Sequence, residues 1–445
     1  MIWLLIAHFA AAVLAPVLVR WWGRNAFLAL ALVPAVTTVW TLARTPGVIA
    51  GQPLQLLVPW APEYRLALAF RMDPLGLVMA LIAAGIGTLV LVYCARYFDD
   101  DEPGLGRFAG VLTGFAGAML GLVLADDLIQ LYLYWELTTV FSYLLIGHYT
   151  ERRDSRRAAA MAINVTTLGG LAMLVGLIML GEAADTYLLS ELLADPPRGT
   201  AVSVALVLVL VGALAKSAIL PFSLWLPAAM QAPTPVSAYL HAAAMVKAGV
   251  YLIARFTPAF GDVAVWRYTA LLLGTATMVA AGWKALRQHD LKLLLAYGTV
   301  SQLGFLTAVF GVGTRDAALA GLAMLCAHAL FKAPLFLVVG IIDHSTGTRD
   351  LRELSGLRTR MPVVFWTSVA ALASMAGLPP LAGFVAKESV FEAFQHAGGL
   401  VTALCLAGVV VGSVFTVGYS LRFLWGAFLD KPDLSPTPVH APGPL

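Results

Sequence analysis

The strongest constraint in this 445-residue sequence is a succession of apolar stretches, each close to the length of one bilayer crossing. A spanning helix needs about 20 largely apolar residues, and it satisfies all of its own backbone hydrogen bonds because lipid offers none. Runs of this kind fall near residues 2–21, 26–43, 74–95, 108–125, 128–149, 158–181, 201–220, 236–256, 264–284, 291–311, 316–341, 362–394 and 399–428. They predict an all-α polytopic membrane protein with about 13 crossings. Composition agrees: 60% of residues are hydrophobic and 12% charged, against about 45–50% and 25% in soluble domains.

Several function classes drop out at once. The net charge of +3 is too small to argue for a nucleic-acid partner. Cys94, Cys326 and Cys405 stand singly in apolar runs, without metal-ligand or redox spacing. There is no His-Glu-x-x-His, no Gly-x-Ser-x-Gly and no phosphate-binding glycine loop, so the sequence offers no metal, nucleotide or other cofactor site. Asn164-Val165-Thr166 matches a glycosylation pattern but lies in mid-run. The chain is apolar from Met1 and lacks the basic start of a signal peptide, so the first run is expected to stay as a membrane helix.

Between the second and third runs, residues 47–71 contain QLLVPW and YRLALAF around Pro59 and Pro62, which reads as a short extramembrane β-hairpin. Alternate loops collect base: Arg20/Arg24, Arg96/Arg107, Arg152/Arg153/Arg156/Arg157, Lys284/Arg287/Lys292 and Arg349/Arg352/Arg358/Arg360. The loop near Glu182, Asp185, Glu191 and Asp195 on the other side is acidic. The positive-inside rule then puts the N-terminus outside. The tail after Leu429 is proline-rich and reads as disordered.

Charges inside the apolar runs point to chemistry, since each is costly in hydrocarbon without a partner. Glu136 lies mid-run in DDLIQLYLYWELTTVFSYLLIGHY, on one helical face with Tyr132 and Tyr143. Lys216, Lys247, Lys332 and Lys387 fall in later runs. Lys216 and Lys387 lie near breaks and are also placed to snorkel or to line a re-entrant loop, whereas Lys247 and Lys332 lie deep. His328 and Lys332 are four apart and share a face. His241 and Lys247 are six apart, about 240° around a continuous helix, so each faces a different neighbour. His241 reads equally well as a packing histidine.

Two runs carry proline in their middle. Pro221 and Pro227 follow Lys216 in the seventh, and Gly377-Leu378-Pro379-Pro380 precedes Lys387 in the twelfth. Matching interruptions in two halves suggest inverted repeats with an ion path at the breaks; ordinary kinks are the alternative. One carboxylate with several buried amines suits proton relay, because burial weakens an amine's hold on its proton. A carboxylate that approaches and leaves Lys216 would switch that amine, and about 100 mV supplies about 2.3 kcal/mol per charge to drive the step.

The blocks WELTTVFSYLLIG, KSAILPFSLWLPAAMQAPTPVSAYLHAAAMVKAGVYLIARF and GLPPLAGFVAKE resemble the antiporter-like subunits shared by respiratory complex I and the Mrp-type cation/proton antiporters. VGIIDHSTGTRDLRELSGL and GSVFTVGYSLRFLWGAF look most like the largest subunits of Mrp complexes. The resemblance implies a fold of about 14 transmembrane helices, about 13–14 with the count from the runs, holding two inverted five-helix repeats that contain the broken seventh and twelfth helices, and a polar axis at mid-membrane. The division it suggests is 1–106 for the N-terminal helices, 107–257 and 258–429 for the repeats, and 430–445 for the tail.

On matching positions it implies that Glu136 is the family's glutamate and Lys216 its paired lysine. Lys247 would be the connecting base, His328 and Lys332 the middle of the axis, and Lys387 the lysine of the second broken helix. The role of His241 is left open. Met324 stands where some members carry a second axis histidine, and the long lateral helix of the complex I counterpart is lacking.

The implied function is a proton-translocating subunit of a multisubunit Na⁺/H⁺ antiporter in the cell membrane, with other subunits, H⁺, Na⁺ and the bilayer as partners. The chain itself would be a transporter component rather than an enzyme. Rival readings are a pumping subunit of a complex I-like oxidoreductase, a partner in inorganic-carbon uptake, and a transport-inactive scaffold.

Overall fold

The structure is a computed structural model that describes residues 1–61, 63 and 66–440. Pro62, Tyr64 and Arg65 of the hairpin region and residues 441–445 of the tail lie outside the described residues. The chain runs α1 (Ile2–Trp22), α2 (Ala26–Ile49), β1 (Leu54–Ala61), β2 (Leu66–Met72), α3 (Pro74–Tyr97), α4 (Leu105–Leu124), α5 (Leu128–Ile146), α6 (Arg153–Ala184) and the short α7 (Leu189–Ala194). Then follow α8 (Thr200–Lys216), two short helices α9 (Trp225–Ala228) and α10 (Thr234–Val236), α11 (Lys247–Phe260), α12 (Ala264–Leu286), α13 (Leu291–Gly311) and α14 (Arg315–Thr346). The last are α15 (Leu357–Arg360), α16 (Pro362–Ala376), α17 (Ala382–Ala397) and α18 (Leu400–Phe428).

Eight helical stretches among the described residues are long and apolar enough to cross a membrane, the first of them containing both α1 and α2. Further apolar helices, α8 and α16, are shorter because their runs are interrupted. The chain is therefore a polytopic helical membrane protein, as the apolar runs predict.

Two compact units divide the chain, Met1–Ser217 with Gln231–Tyr268 and Ala218–Met230 with Thr269–Leu445. In the first, β1 and β2 pair antiparallel with Leu54 opposite Met72, and the register is irregular between Pro59 and Ala61. The hairpin is tied to α5, where Gln130 Oε1 accepts from the Ala69 N–H at 2.9 Å. α6 and α8 approach closely because glycine faces glycine. A Cβ on Gly169 would lie 2.5 Å from Ala215 Cβ, and one on Gly212 2.5 Å from Met173 Cβ. Without a hydrophobic drive between helices in lipid, such close backbone contact supplies the packing energy.

Asp73 caps α3, accepting from Gly76 N–H at 2.9 Å, and pairs with Arg255 of α11. Burial alone would raise its carboxyl, but the Arg255 guanidinium holds it below the usual carboxylate range.

The second unit follows the same plan. Gly274 of α12 and Gly304 of α13 face each other, each missing Cβ replaced by the other's carbonyl at 2.7 and 2.6 Å. Both units also carry one particular staple. Asp127 caps α5 through the Ile129 and Gln130 N–H groups and forms an isolated β-bridge with Leu188 beyond α6. Asp290 caps α13 through the Lys292 and Leu293 N–H groups and bridges Asp350 beyond α14. In each case an Asp-capped helix is followed by a helix of 32 residues, α6 and α14.

One expectation changes here. The run 236–256 is not a continuous helix: Ser237–His241 forms a widened π turn, and α11 starts only at Lys247. The Val246 carbonyl, freed from a regular ladder, accepts from Ser217 Oγ at 2.7 Å. The 240° separation of His241 and Lys247 therefore does not hold. Lys292, counted with the loop bases, is buried in the first turn of α13.

Candidate functional site

In the first unit the site is assembled from α5, α6, α8 and the start of α11. Lys216 is the last residue of α8 and fully buried. Its ammonium donates to the Trp135 carbonyl at 2.8 Å and to Thr139 Oγ1 at 2.6 Å, and lies 5.0 Å from the centre of the Trp135 ring. Trp135 and Thr139 flank Glu136 on α5, so carboxylate and ammonium are within electrostatic reach of each other. Their interaction is through space, and the hydrogen bonds of the lysine go to the backbone and a threonine hydroxyl.

Glu136 is half-buried, and its Oε1 has no hydrogen-bond partner among the described residues. It fits only because Gly170 of α6 has no side chain: a Cβ there would lie 2.0 Å from Oε1. An unpartnered buried carboxylate oxygen is costly.

Lys247, the first residue of α11, is fully buried. Gly249 seats that end of α11 on the end of α8, its missing Cβ 2.0 Å from the Ala213 carbonyl and 2.4 Å from Ser217 Oγ. Two lysines thus occupy abutting helix ends, one C-terminal and one N-terminal. Backbone dipoles favour a cation at the first and oppose it at the second. His241 is buried in the π turn before the break.

In the second unit His328 and Lys332 are both fully buried on one face of α14. The His328 ring meets Phe331 edge-on at 5.5 Å. Lys332 donates to the Leu295 carbonyl of α13 at 3.3 Å and lies 5.7 Å from the Tyr419 ring of α18. Gly298 makes the room, since a Cβ there would stand 3.0 Å from Lys332 Nζ. Gln302 extends the polar surface, donating to Thr416 Oγ1 at 3.2 Å and Tyr419 OH at 3.4 Å.

Lys387 of α17 caps the interrupted helix, donating to the Met375 and Ala376 carbonyls at 2.9 and 3.1 Å. These are carbonyls of the last turn of α16, which has no helical partners for them. Gly377 turns the chain there with φ +89°. Among the described residues no group of three or more metal-ligating side chains is present.

Sequence reasoning did not single out Thr139, Gln302, Tyr419 or the glycines Gly170 and Gly298. Thr139 sits three residues after Glu136, on the side that faces Lys216. The others carry no charge and give no signal until the helices are packed.

Membrane helices interrupted beside buried lysines, with a half-buried carboxylate among them, define a polytopic membrane protein that carries titratable groups within its helical body. A family model described as "NADH:quinone oxidoreductase/Mrp antiporter, TM" matches residues 125–416, and one described as "NADH-Ubiquinone oxidoreductase (complex I), chain 5 N-terminus" matches residues 60–109. The chain belongs to the NADH:quinone oxidoreductase/Mrp antiporter transmembrane family.

It is 43% identical over 407 residues to a Rhizobium meliloti (strain 1021) protein named as a probable K(+)/H(+) antiporter subunit, covering 89% of this chain and 40% of that one. It is 40% identical over 433 residues to the A1 subunit of a Na(+)/H(+) antiporter from Staphylococcus aureus (strain bovine RF122 / ET3-1), covering 92% and 54%. A chain in the structure of the Mrp complex from Dietzia sp. DQ12-45-1b superimposes with a TM-score of 0.90 at 41% identity, over 97% of this chain and 47% of that one. The chain thus spans about half the length of the curated relatives it matches. A chain of respiratory complex I from Thermus thermophilus shares the fold, with a TM-score of 0.83 at 23% identity, over 98% of this chain and 91% of that one.

Proposed function

We propose that the chain is a proton-translocating membrane subunit of a multisubunit monovalent cation/proton antiporter in the cell membrane, with its N-terminus outside. Protons pass along Glu136, Lys216, His241 and Lys247 in the first unit and His328, Lys332 and Lys387 in the second. The observation that carries the reading is the placement of the amines. Lys216 ends one interrupted helix, Lys387 caps the end of another from α17, Lys247 begins a third, and Lys332 lies deep in an apolar helix, all buried and held by neutral acceptors where a bond is seen. An ammonium held by carbonyls and hydroxyls can lose its proton without leaving a carboxylate stranded.

The shared plan of Asp-capped helix, 32-residue helix and interrupted helix supports two five-helix repeats over 107–257 and 258–429, inverted as transporter repeats commonly are. The partners are other subunits of the complex, H⁺ and Na⁺. The name of the Rhizobium relative makes K⁺ the competing cation. The chain itself relays protons and binds no redox cofactor. The family description keeps a second reading open, a pumping subunit of a complex I-like oxidoreductase.

Vesicles carrying the complete operon test the proposal. Na⁺ or K⁺ added to a preformed ΔpH should dissipate it in the wild type and not in Glu136→Ala or Lys216→Ala, with both variants assembled. Undiminished dissipation in an assembled variant would overturn the relay. Proton uptake that needs a quinone-linked electron donor rather than a cation would favour the oxidoreductase reading.

A further inference from the structure

Within the second unit an apolar cavity of about 1050 Å³ opens among the ends of α12, α16 and α18. Leu286, Phe365, Val369, Leu421 and Trp425 line it, and Arg352, Arg422 and Lys431 bring charge to its loop end. The Arg352 charge is already matched by Asp350, which it holds through Nε and Nη2 at 2.6–3.2 Å. The other two form no ion pair among the described residues, although the Asp350 charge also reaches Lys431. Arg422 donates Nε to the Gln288 carbonyl at 3.1 Å and places Nη2 3.1 Å from His289 Nδ1. Lys431 donates to the Gly426 carbonyl at 2.8 Å and to those of Leu351 and Leu354. Neither has a carboxylate within ion-pair distance among the described residues. One unpaired guanidinium, with the Lys431 ammonium close by, therefore meets a greasy cavity.

A second observation sets the depth of this cavity in the bilayer. Trp283, Trp366 and Trp425 are 46%, 63% and 65% exposed. Each lies within about a turn of the end of α12, α16 or α18 on the cavity's side. Exposed tryptophans at helix ends mark the headgroup level. Below Trp425, the outward residues Leu421, Val417, Val414 and Val410 continue down α18 as an exposed apolar stripe. The cavity is at the top of the range for small-ligand pockets and is walled almost wholly by hydrocarbon. What fits is an amphiphile with long apolar chains and a negative head at interface depth.

We propose that this cavity is a binding site for one anionic phospholipid, its acyl chains along Leu421 and Trp425 and its phosphate on the free guanidinium N–H groups of Arg422, with the Lys431 charge beside it. Basic pockets between membrane helices are recurrent headgroup sites.

The test uses the purified protein with whatever subunits accompany it, stripped of lipid and titrated with phosphatidylglycerol or phosphatidylcholine under native mass spectrometry. One phosphatidylglycerol per chain should bind in preference to phosphatidylcholine. Arg422→Gln, which keeps a donor for the Gln288 carbonyl, should reduce that preference about fivefold, the worth of one interfacial charge. Val369→Phe, which fills the cavity, should reduce retention of both lipids, and thermal unfolding in phosphatidylcholine shows whether either variant is still folded. Equal retention of the two lipids, or an unchanged preference in folded Arg422→Gln, overturns the proposal. So does a photo-crosslinker at position 425 that captures polypeptide rather than lipid, since a neighbouring helix would then own the site.

Discussion

Glu136 Oε1 stands in the space that a side chain at Gly170 would need, 2.0 Å from where its Cβ would be. The absence of a methyl on α6 therefore leaves the room that the carboxylate of α5 occupies. Gly170→Ala should push Glu136 out of its place and cut transport at least tenfold while the complex still assembles. Gly169→Ala, one residue away, would strike Ala215 Cβ at 2.5 Å and should instead separate α6 from α8 and lower the yield of folded protein. ΔpH dissipation alongside thermal unfolding tells the two apart. A fully active Gly170→Ala would show that the carboxylate position is unimportant.

Thr139 supplies one of the two close acceptors for Lys216. Thr139→Val keeps the shape and removes the oxygen. A hydrogen bond to a charged group contributes about 1.5–3 kcal/mol, so the variant should be destabilised by about that much and should transport more slowly. Thr139→Ser should recover most of both. Unfolding midpoints and initial rates across the three proteins give the answer, and a silent Thr139→Val would mean that the Trp135 carbonyl suffices.

Lys387 ties α17 back to α16 through two carbonyls, so replacing it removes both a relay group and a cap. Lys387→Met should abolish transport and also lower thermal stability by about 1–3 kcal/mol, because two buried carbonyls lose their donor. Lys387→Arg should restore the cap without restoring transport, since a guanidinium does not give up its proton near neutral pH. Recovery of transport in the arginine variant would make the lysine a structural cap only.

His148 lies just beyond α5, packed against Phe108, Tyr149 and Phe98 at 4.9, 5.1 and 6.2 Å. Burial lowers its pKa from 6.5 to about 4, and the nearby Arg107 charge adds to the effect. Glu102 stands 3.8 Å from its Nε2, too far for a strong bond to offset the loss of water. Between pH 6.5 and about 4 the unfolded chain binds a proton that the folded chain does not. Stability should therefore fall as pH falls through that window, by at most about 3 kcal/mol at 1.36 kcal/mol per pKa unit, and then level off. In His148→Phe this slope should disappear from the pH dependence of unfolding.

The sequence carried the membrane class, the family motifs and both interruptions, because long apolar runs and Pro221 or Pro379-Pro380 have few structural meanings. It also put Lys216 beside the right helix. What it left unread depends on helix rotation and backbone approach. Nothing in the residues around Glu136 says that Trp135 and Thr139, rather than the carboxylate, would take the Lys216 protons. The break before Lys247 is unmarked by proline or glycine within Ala242–Val246, and arises where Gly249 is pressed onto α8. Lys292 looks like a loop base by position and is buried by the Asp290 cap that starts α13 one residue earlier.

The paired staples have one more consequence. Counting from the first residue of each 32-residue helix, position 18 is Gly170 in α6 and Lys332 in α14. One half leaves a hole there and borrows a negative group from α5; the other fills the spot with a positive group and takes the hole from Gly298 of α13. Behind the same staple, then, one unit seats an anion against a bare glycine of the long helix and the other seats a cation on the long helix against a bare glycine of its neighbour.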